Sequence, residues 1–199
     1  MNLENKLAKS QTAFENWKTV PFTEKQKLLQ KLASLLEKDA DKFGKIITQE
    51  MNKPITQSIS EVQKCALMTR YYAEAENILK PEKIKTEFRV SEIHSVPKGV
   101  ILGVMPWNFP FWQALRFAVP AILAGNTIVL KHASICFGSG NMIEKLFLKA
   151  GFPKGVFQNL EIGHEDVKKV LENPIIKGVS LTGSEKAGAE VASIAGKNI

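Results

Sequence analysis

Up to residue 82 the apolar residues recur at helical spacing. Leu3, Leu7, Phe14 and Trp17 fall on one stripe, and Leu28, Leu29, Leu32, Leu35 and Leu36 form a second, with Thr23 placed to cap it. A third helix is predicted from Asp39 to Met51, stopped by Asn52 and Pro54. A fourth carries Pro54 in its first turn and turns Ile55, Ile59, Val62, Ala66 and Tyr72 inward. The period then shortens: Ile84, Thr86, Phe88 and Val90 alternate, and Ile93 and Val96 follow Ser91. That pattern predicts an exposed antiparallel pair or an extended arm over 83–98.

From Gly99 the rhythm becomes strand, helix, strand. Short apolar runs stand at Val100–Met105, Thr127–Leu130, Val156–Leu160 and Gly178–Leu181, their starts roughly 22 to 29 residues apart, as parallel strands with crossover helices require. The helices are expected at Pro110–Ala124, Ser139–Ala150, His164–Leu171 and Ser184–Ala195, with turns at Gly125, Gly151 and Gly155. The fold class is therefore α/β: helices over 1–82, the arm over 83–98, and a Rossmann-like open parallel sheet over 99–199.

Composition narrows the function classes. The net charge is +7, but of 27 basic residues only Arg70, Arg89 and Arg116 are arginine, so the excess reads as solvated lysine faces and no nucleic-acid partner is expected. Cys65 and Cys136 form no CxxC pair and His94, His132 and His164 no metal spacing, which points to a reducing compartment and no metal. The polar start MNLENKLAK lacks the apolar core of a signal peptide, and Pro106 and Pro110 interrupt the longest uncharged run. A cytoplasmic protein without a membrane partner is expected.

In an open parallel sheet ligands meet the carboxyl ends of the strands, so the residues after each run carry the candidate chemistry. After the first comes Met105-Pro106-Trp107-Asn108-Phe109-Pro110, where two prolines stiffen the backbone around one amide. Asn108 is either a cap for the next helix, worth ~1 kcal/mol, or a fixed donor to developing negative charge, worth about 2.7–4 kcal/mol. After the second run comes Lys131-His132-Ala133-Ser134; the lysine is an edge charge, or its ammonium and the Ser134 hydroxyl meet ribose or phosphate oxygens. Gly138-Ser139-Gly140 begins a GxGxxG pattern that fails at Ile143. Thr182-Gly183-Ser184 opens the last helix, as a cap or as an anion site. Cys136, within an apolar ICF stretch, reads as a small hydrophobe and not as a nucleophile.

Taken together, these residues resemble the aldehyde dehydrogenase superfamily. The resemblance runs through EMNKPITQSISEV at 50–62, YYAE at 71–74, PKGVILGVMPWNFPFWQALRFAVPAILAGNTIVLKHAS at 97–134, AGFPKGVFQNL at 150–160 and SLTGSEKAG at 180–188. KHA and KAG look most like bacterial succinate-semialdehyde dehydrogenases. The resemblance implies an NAD or NADP cofactor, an aldehyde substrate and homo-oligomeric full-length relatives. It implies that Asn108 stabilises the oxyanion of a cysteine thiohemiacetal and that Trp107 lies along the cofactor path. Lys131 through His132, Ala133 and Ser134 would meet the adenosine ribose, Gly183 and Ser184 the pyrophosphate, and Arg116 the substrate's distal carboxylate. Ser134 stands where many NAD-preferring members carry glutamate, and a neutral hydroxyl admits the 2′-phosphate of NADP. The family's base and nucleophilic cysteine lie in segments beyond these residues, so the chain is expected to be inactive alone: a cofactor-binding piece, or one half of a split enzyme with a separate catalytic half.

Overall fold

A computed structural model of the chain describes residues 2–76 and 78–199. Four helices lead: α1 (Leu3–Trp17), α2 (Phe22–Lys38), α3 (Ala40–Met51) and α4 (Ile55–Glu74). Asn2 caps α1 through the Asn5 N–H at 3.0 Å. Thr23 does not cap α2; that helix starts from the Pro21 carbonyl, which accepts from the amides of Glu24 and Lys25. Asn52 ends α3 in the left-handed conformation at φ 56°, which asparagine tolerates better than most residues. Pro54 precedes α4 instead of joining its first turn, and Ile55 faces outward at 40% exposure.

The arm pairs only over β1 (Glu82–Lys83) and β2 (Glu92–Ile93), antiparallel. The alternating residues from Thr86 to Val90 continue no strand, and Phe88 and Val90 are exposed. The remaining elements are β3 (Val100–Met105), α5 (Pro110–Leu123), β4 (Thr127–His132), α6 (Phe137–Ala150), β5 (Phe157–Leu160), α7 (Val167–Leu171), β6 (Ile176–Leu181) and α8 (Glu185–Asn198). A short 3-10 turn, Ser134–Cys136, leads into α6. Two bounds differ from expectation in ways that matter. β4 runs on through Lys131 and His132, both buried, because β3 continues beside it as far as the Met105–His132 pairing. α7 is only five residues long, starting at Val167 and not at His164.

The four long strands form one parallel sheet in the order β5-β4-β3-β6. The chain steps outward from β3 through β4 to β5, then returns to place β6 on the other flank of β3. The strand order therefore reverses between β3 and β6, and in open parallel sheets ligands bind at the carboxyl edge of such a switch point. Successive side chains of a strand face opposite sides. Ile101 and Met105 pack with α2 to α6, whereas Val100 and Leu102 pack with Leu7, Val170 and Val191 of α1, α7 and α8. Gly103 lets α5 approach β3 closely, since a Cβ there would come 2.7 Å from the Phe117 ring. No helix among the described residues is long and apolar enough to cross a membrane.

Candidate functional site

Register brings three of the candidate segments to one rim. The Ala133 amide donates to the Met105 carbonyl at 3.1 Å and the Thr182 amide to the Val104 carbonyl at 3.0 Å. The segments after β4 and β6 thus flank the turn that follows β3. Trp107 and Asn108 are exposed on that turn. Among the described residues no hydrogen bond uses the Asn108 side-chain amide, and the cap reading for Asn108 is overturned.

The capping group is Glu61. It projects from α4, and its Oε1 accepts from the amides of Phe111 at 2.9 Å and Trp112 at 3.0 Å. Its Oε2 accepts from Lys53 Nζ at 2.6 Å. Lys53 Nζ also lies 3.8 Å from the centre of the Phe109 ring and 3.5 Å from the Asn108 carbonyl oxygen. Glu61 is almost wholly buried. A carboxylate at a helix N-terminus meets unpaired N–H groups and the positive end of the helix dipole, so this seat compensates its burial.

His132 braces the same turn from the sheet. Its Nε2 lies 2.9 Å from the Pro110 carbonyl, which can only accept, and its Nδ1 accepts from the Ala133 amide at 2.9 Å. The ring is therefore the neutral Nε2–H tautomer. Burial, reinforced by Lys131 and opposed by the Pro110 bond, holds its pKa below the ordinary histidine value. Both nitrogens are used and the residue is fully buried, so the His132 ring is engaged in holding the turn and a cofactor would meet only its backbone.

Lys131 is nearly buried, and burial lowers its pKa, with Glu165 acting weakly the other way. Its ammonium makes no ion pair among the described residues, which suits a ligand's ribose hydroxyls. Ala133 is half-buried, and Ser134 is exposed with its hydroxyl unbonded among the described residues. Cys136 is buried, its thiol pushed up to about 12 mainly by burial, and Cys65 is raised well above the usual thiol range for the same reason. Neither sulfur is fit to attack a carbonyl at neutral pH.

Helix N-termini decide where an anion can settle. That of α5 holds Glu61. That of α6 holds Glu50, which accepts from the amide and hydroxyl of Ser139. Gly140 serves packing, since a Cβ there would come 2.5 Å from Asn159. At α8 the Ser184 hydroxyl accepts from the Ala187 amide at 3.2 Å, and Gly183 and Ser184 are exposed. Of these three helices, α8 is the one whose N-terminal amides meet, among the described residues, no carboxylate from elsewhere, although Glu185 stands in its first turn.

A cavity of about 590 Å³ adjoins Asn108, lined among others by Phe109, Trp112, Gln113 and Lys64. Arg116 does not line it. Its Nη2 donates to Thr182 Oγ1 at 3.1 Å, so it stands beside the end of β6. It does share the helix face of Phe109, Trp112 and Gln113, one turn further on. Glu61, Lys53 and Glu50 were missed by sequence reasoning. A signal existed for Glu61, because it falls on the buried stripe Ser58, Val62, Cys65, Ala66 of α4.

The aldehyde dehydrogenase family model matches residues 1–199. The chain is 45% identical over 195 residues to a Synechocystis protein named "Probable succinate-semialdehyde dehydrogenase (NADP+)", covering 98% of this chain and 43% of that one. It is 37% identical to a succinate-semialdehyde dehydrogenase (NADP+) of Deinococcus radiodurans, covering 97% of this chain and 41% of the relative. The crystal structure of succinic semialdehyde dehydrogenase from Streptococcus pyogenes, in complex with NADP+, superposes with a TM-score of 0.95 at 37% identity, over 98% of this chain and 44% of that one. The chain thus spans less than half the length of these relatives.

Proposed function

Because the chain belongs to the aldehyde dehydrogenase family, we propose that residues 1–199 form the cofactor-binding part of an enzyme that oxidises succinate semialdehyde to the dicarboxylate with NADP. The observation that carries this reading is the Asn108 amide, exposed and without a hydrogen bond among the described residues, at the rim where the ends of β3, β4 and β6 meet. An amide freed from capping on a braced turn could donate to an oxygen that gains negative charge, which supports this reading.

Lys131 would hold the adenosine ribose, Ser134 would admit its 2′-phosphate without charge repulsion, and the Gly183–Ser184 end of α8 would take the pyrophosphate. When bound, the nicotinamide supplies a hydride acceptor. Asn108 would stabilise the oxyanion formed as a thiolate adds to the aldehyde. Cys65 and Cys136, buried and with their thiols raised by burial, are not proposed as that thiolate, which would come, like the base that activates water, from other polypeptide. Arg116 is proposed to attract the distal carboxylate, for which release from Thr182 would be needed.

Calorimetry of the chain with NADP and with NAD tests the cofactor role, micromolar NADP binding being expected. Assay of the enzyme containing these residues, with succinate semialdehyde and with butanal, tests the substrate. Equal kcat/KM for the two aldehydes would refute the substrate assignment. A second reading is favoured by the two unreactive cysteines: the chain alone is a dinucleotide-binding module without turnover. Nicotinamide reduction by the 199-residue chain alone would sink that reading.

A further inference from the structure

From the Lys53–Glu61 pair we infer that these two residues, one just before α4 and one on it, are positioning residues for Asn108 and set the oxidation rate through it. The inference rests on the proposed aldehyde oxidation. Asn108 is one residue before the Phe109 that precedes α5, and among the described residues its own side chain makes no hydrogen bond that would fix it. Its aim is therefore set by its backbone, and that backbone is held from outside. Glu61 grips the first free amides of α5, at Phe111 and Trp112. Lys53 joins the same carboxylate and covers the Phe109 ring, its ammonium reaching toward the Asn108 carbonyl. The two residues thus hold the chain at Asn108 and just after it, while His132 holds Pro110.

The geometry also explains a charge in a place where burial disfavours one. A helix cap needs only a neutral acceptor, and serine or asparagine next to the helix provides it at no desolvation cost. Here the cap comes from another helix as a buried carboxylate with its own ammonium partner. That arrangement leaves the residue at position 108 free to face the rim. A misplacement of about 1 Å in such a donor can cost up to about 100-fold in rate.

The test uses the enzyme that contains these residues and six variants: Glu61→Ala, Glu61→Gln, Lys53→Met, Asn108→Ala, and the doubles of Asn108→Ala with Glu61→Ala and with Lys53→Met. Glu61→Ala is expected to lower kcat at least about tenfold with KM for the nicotinamide cofactor unchanged, because β4 and α8 are untouched. Glu61→Gln, which keeps an acceptor for the two amides, should recover most of kcat. In the Asn108→Ala background Glu61→Ala should cost almost nothing further, since residues acting through one another are not additive. Lys53→Met leaves Glu61 on α5 and should show a smaller kcat loss, again absorbed by Asn108→Ala, and it serves if Glu61→Ala does not fold. Additive losses in the double variants would overturn the inference, as would a loss confined to KM. Absence of aldehyde oxidation in the unaltered enzyme would overturn the proposed function, and the inference with it.

Discussion

Glu61 Oε1 sits 2.9 Å from the Phe111 amide nitrogen, 50 residues further along the chain. One carboxylate oxygen thereby closes the start of α5, and Asn108 is relieved of the task that its place before a helix would suggest. The consequences can be measured separately for stability, rate, protonation and cofactor choice.

Removing the carboxylate should lower stability as well as rate. Glu61→Ala strands the Lys53 ammonium, nearly buried at 11% exposure, and leaves two amides without an acceptor. Breaking one side of a buried pair costs about 3–5 kcal/mol, so the denaturant midpoint should fall clearly. Changing both members together, Lys53→Met with Glu61→Gln, should recover part of that loss. An unchanged midpoint for Glu61→Ala would show that water replaces the carboxylate without penalty.

Asn108→Ala should do the reverse. The side chain is exposed and unbonded among the described residues, so the melting temperature should hardly move. If the amide supports an oxyanion, kcat should drop about 100- to 1,000-fold. A fall in stability with kcat intact would return Asn108 to a structural role.

His132 makes stability depend on pH with a definite sign. Its folded pKa lies below its ordinary value because burial disfavours the cation. The unfolded chain then binds a proton first as pH falls, so its contribution is present above about pH 6.5 and is lost as pH drops from there toward the lower folded pKa. Thermal unfolding between pH 8 and 5 should show a steeper loss for the unaltered protein than for His132→Gln. Parallel curves would contradict the buried neutral ring.

The two thiols should resist alkylation. With Cys136 pushed up to about 12 and Cys65 also raised by burial, iodoacetamide at pH 8 should label neither in the folded chain and both after denaturation. Rapid labelling of Cys136 in the native state, read by mass spectrometry, would show that its segment opens.

Ser134 is the proposed gate for the 2′-phosphate. Ser134→Glu should weaken NADP binding by at least about tenfold through like-charge repulsion and leave NAD binding within a few-fold. Isothermal calorimetry decides it, and equal loss for both dinucleotides would mean that Ser134 does not read the phosphate.

The strands were legible because each is a short, dense run of apolar and β-branched residues bounded by turn residues, and Val100–Met105 needed no correction. β4 was cut short at Leu130 because lysine and histidine look like strand ends, whereas the neighbouring strand continues and buries both. Thr23 failed as a cap because a nearby proline carbonyl starts α2 first. Periodicity could mark Glu61 as lying on a buried stripe, but not which amides it would meet. Such a partner depends on how α4 and α5 cross, and nothing local encodes that. The same limit applies to Glu50, whose partner Ser139 is 89 positions away.

Because the acceptor for the Phe111 and Trp112 amides belongs to α4, the rim at Asn108 is not a self-contained loop. Its lifetime is that of the docking between two helices: any fluctuation that lifts α4 also releases the start of α5. In folding terms, the Asn108 turn cannot settle until a long-range closure is complete, and in the native ensemble it is as durable as that closure.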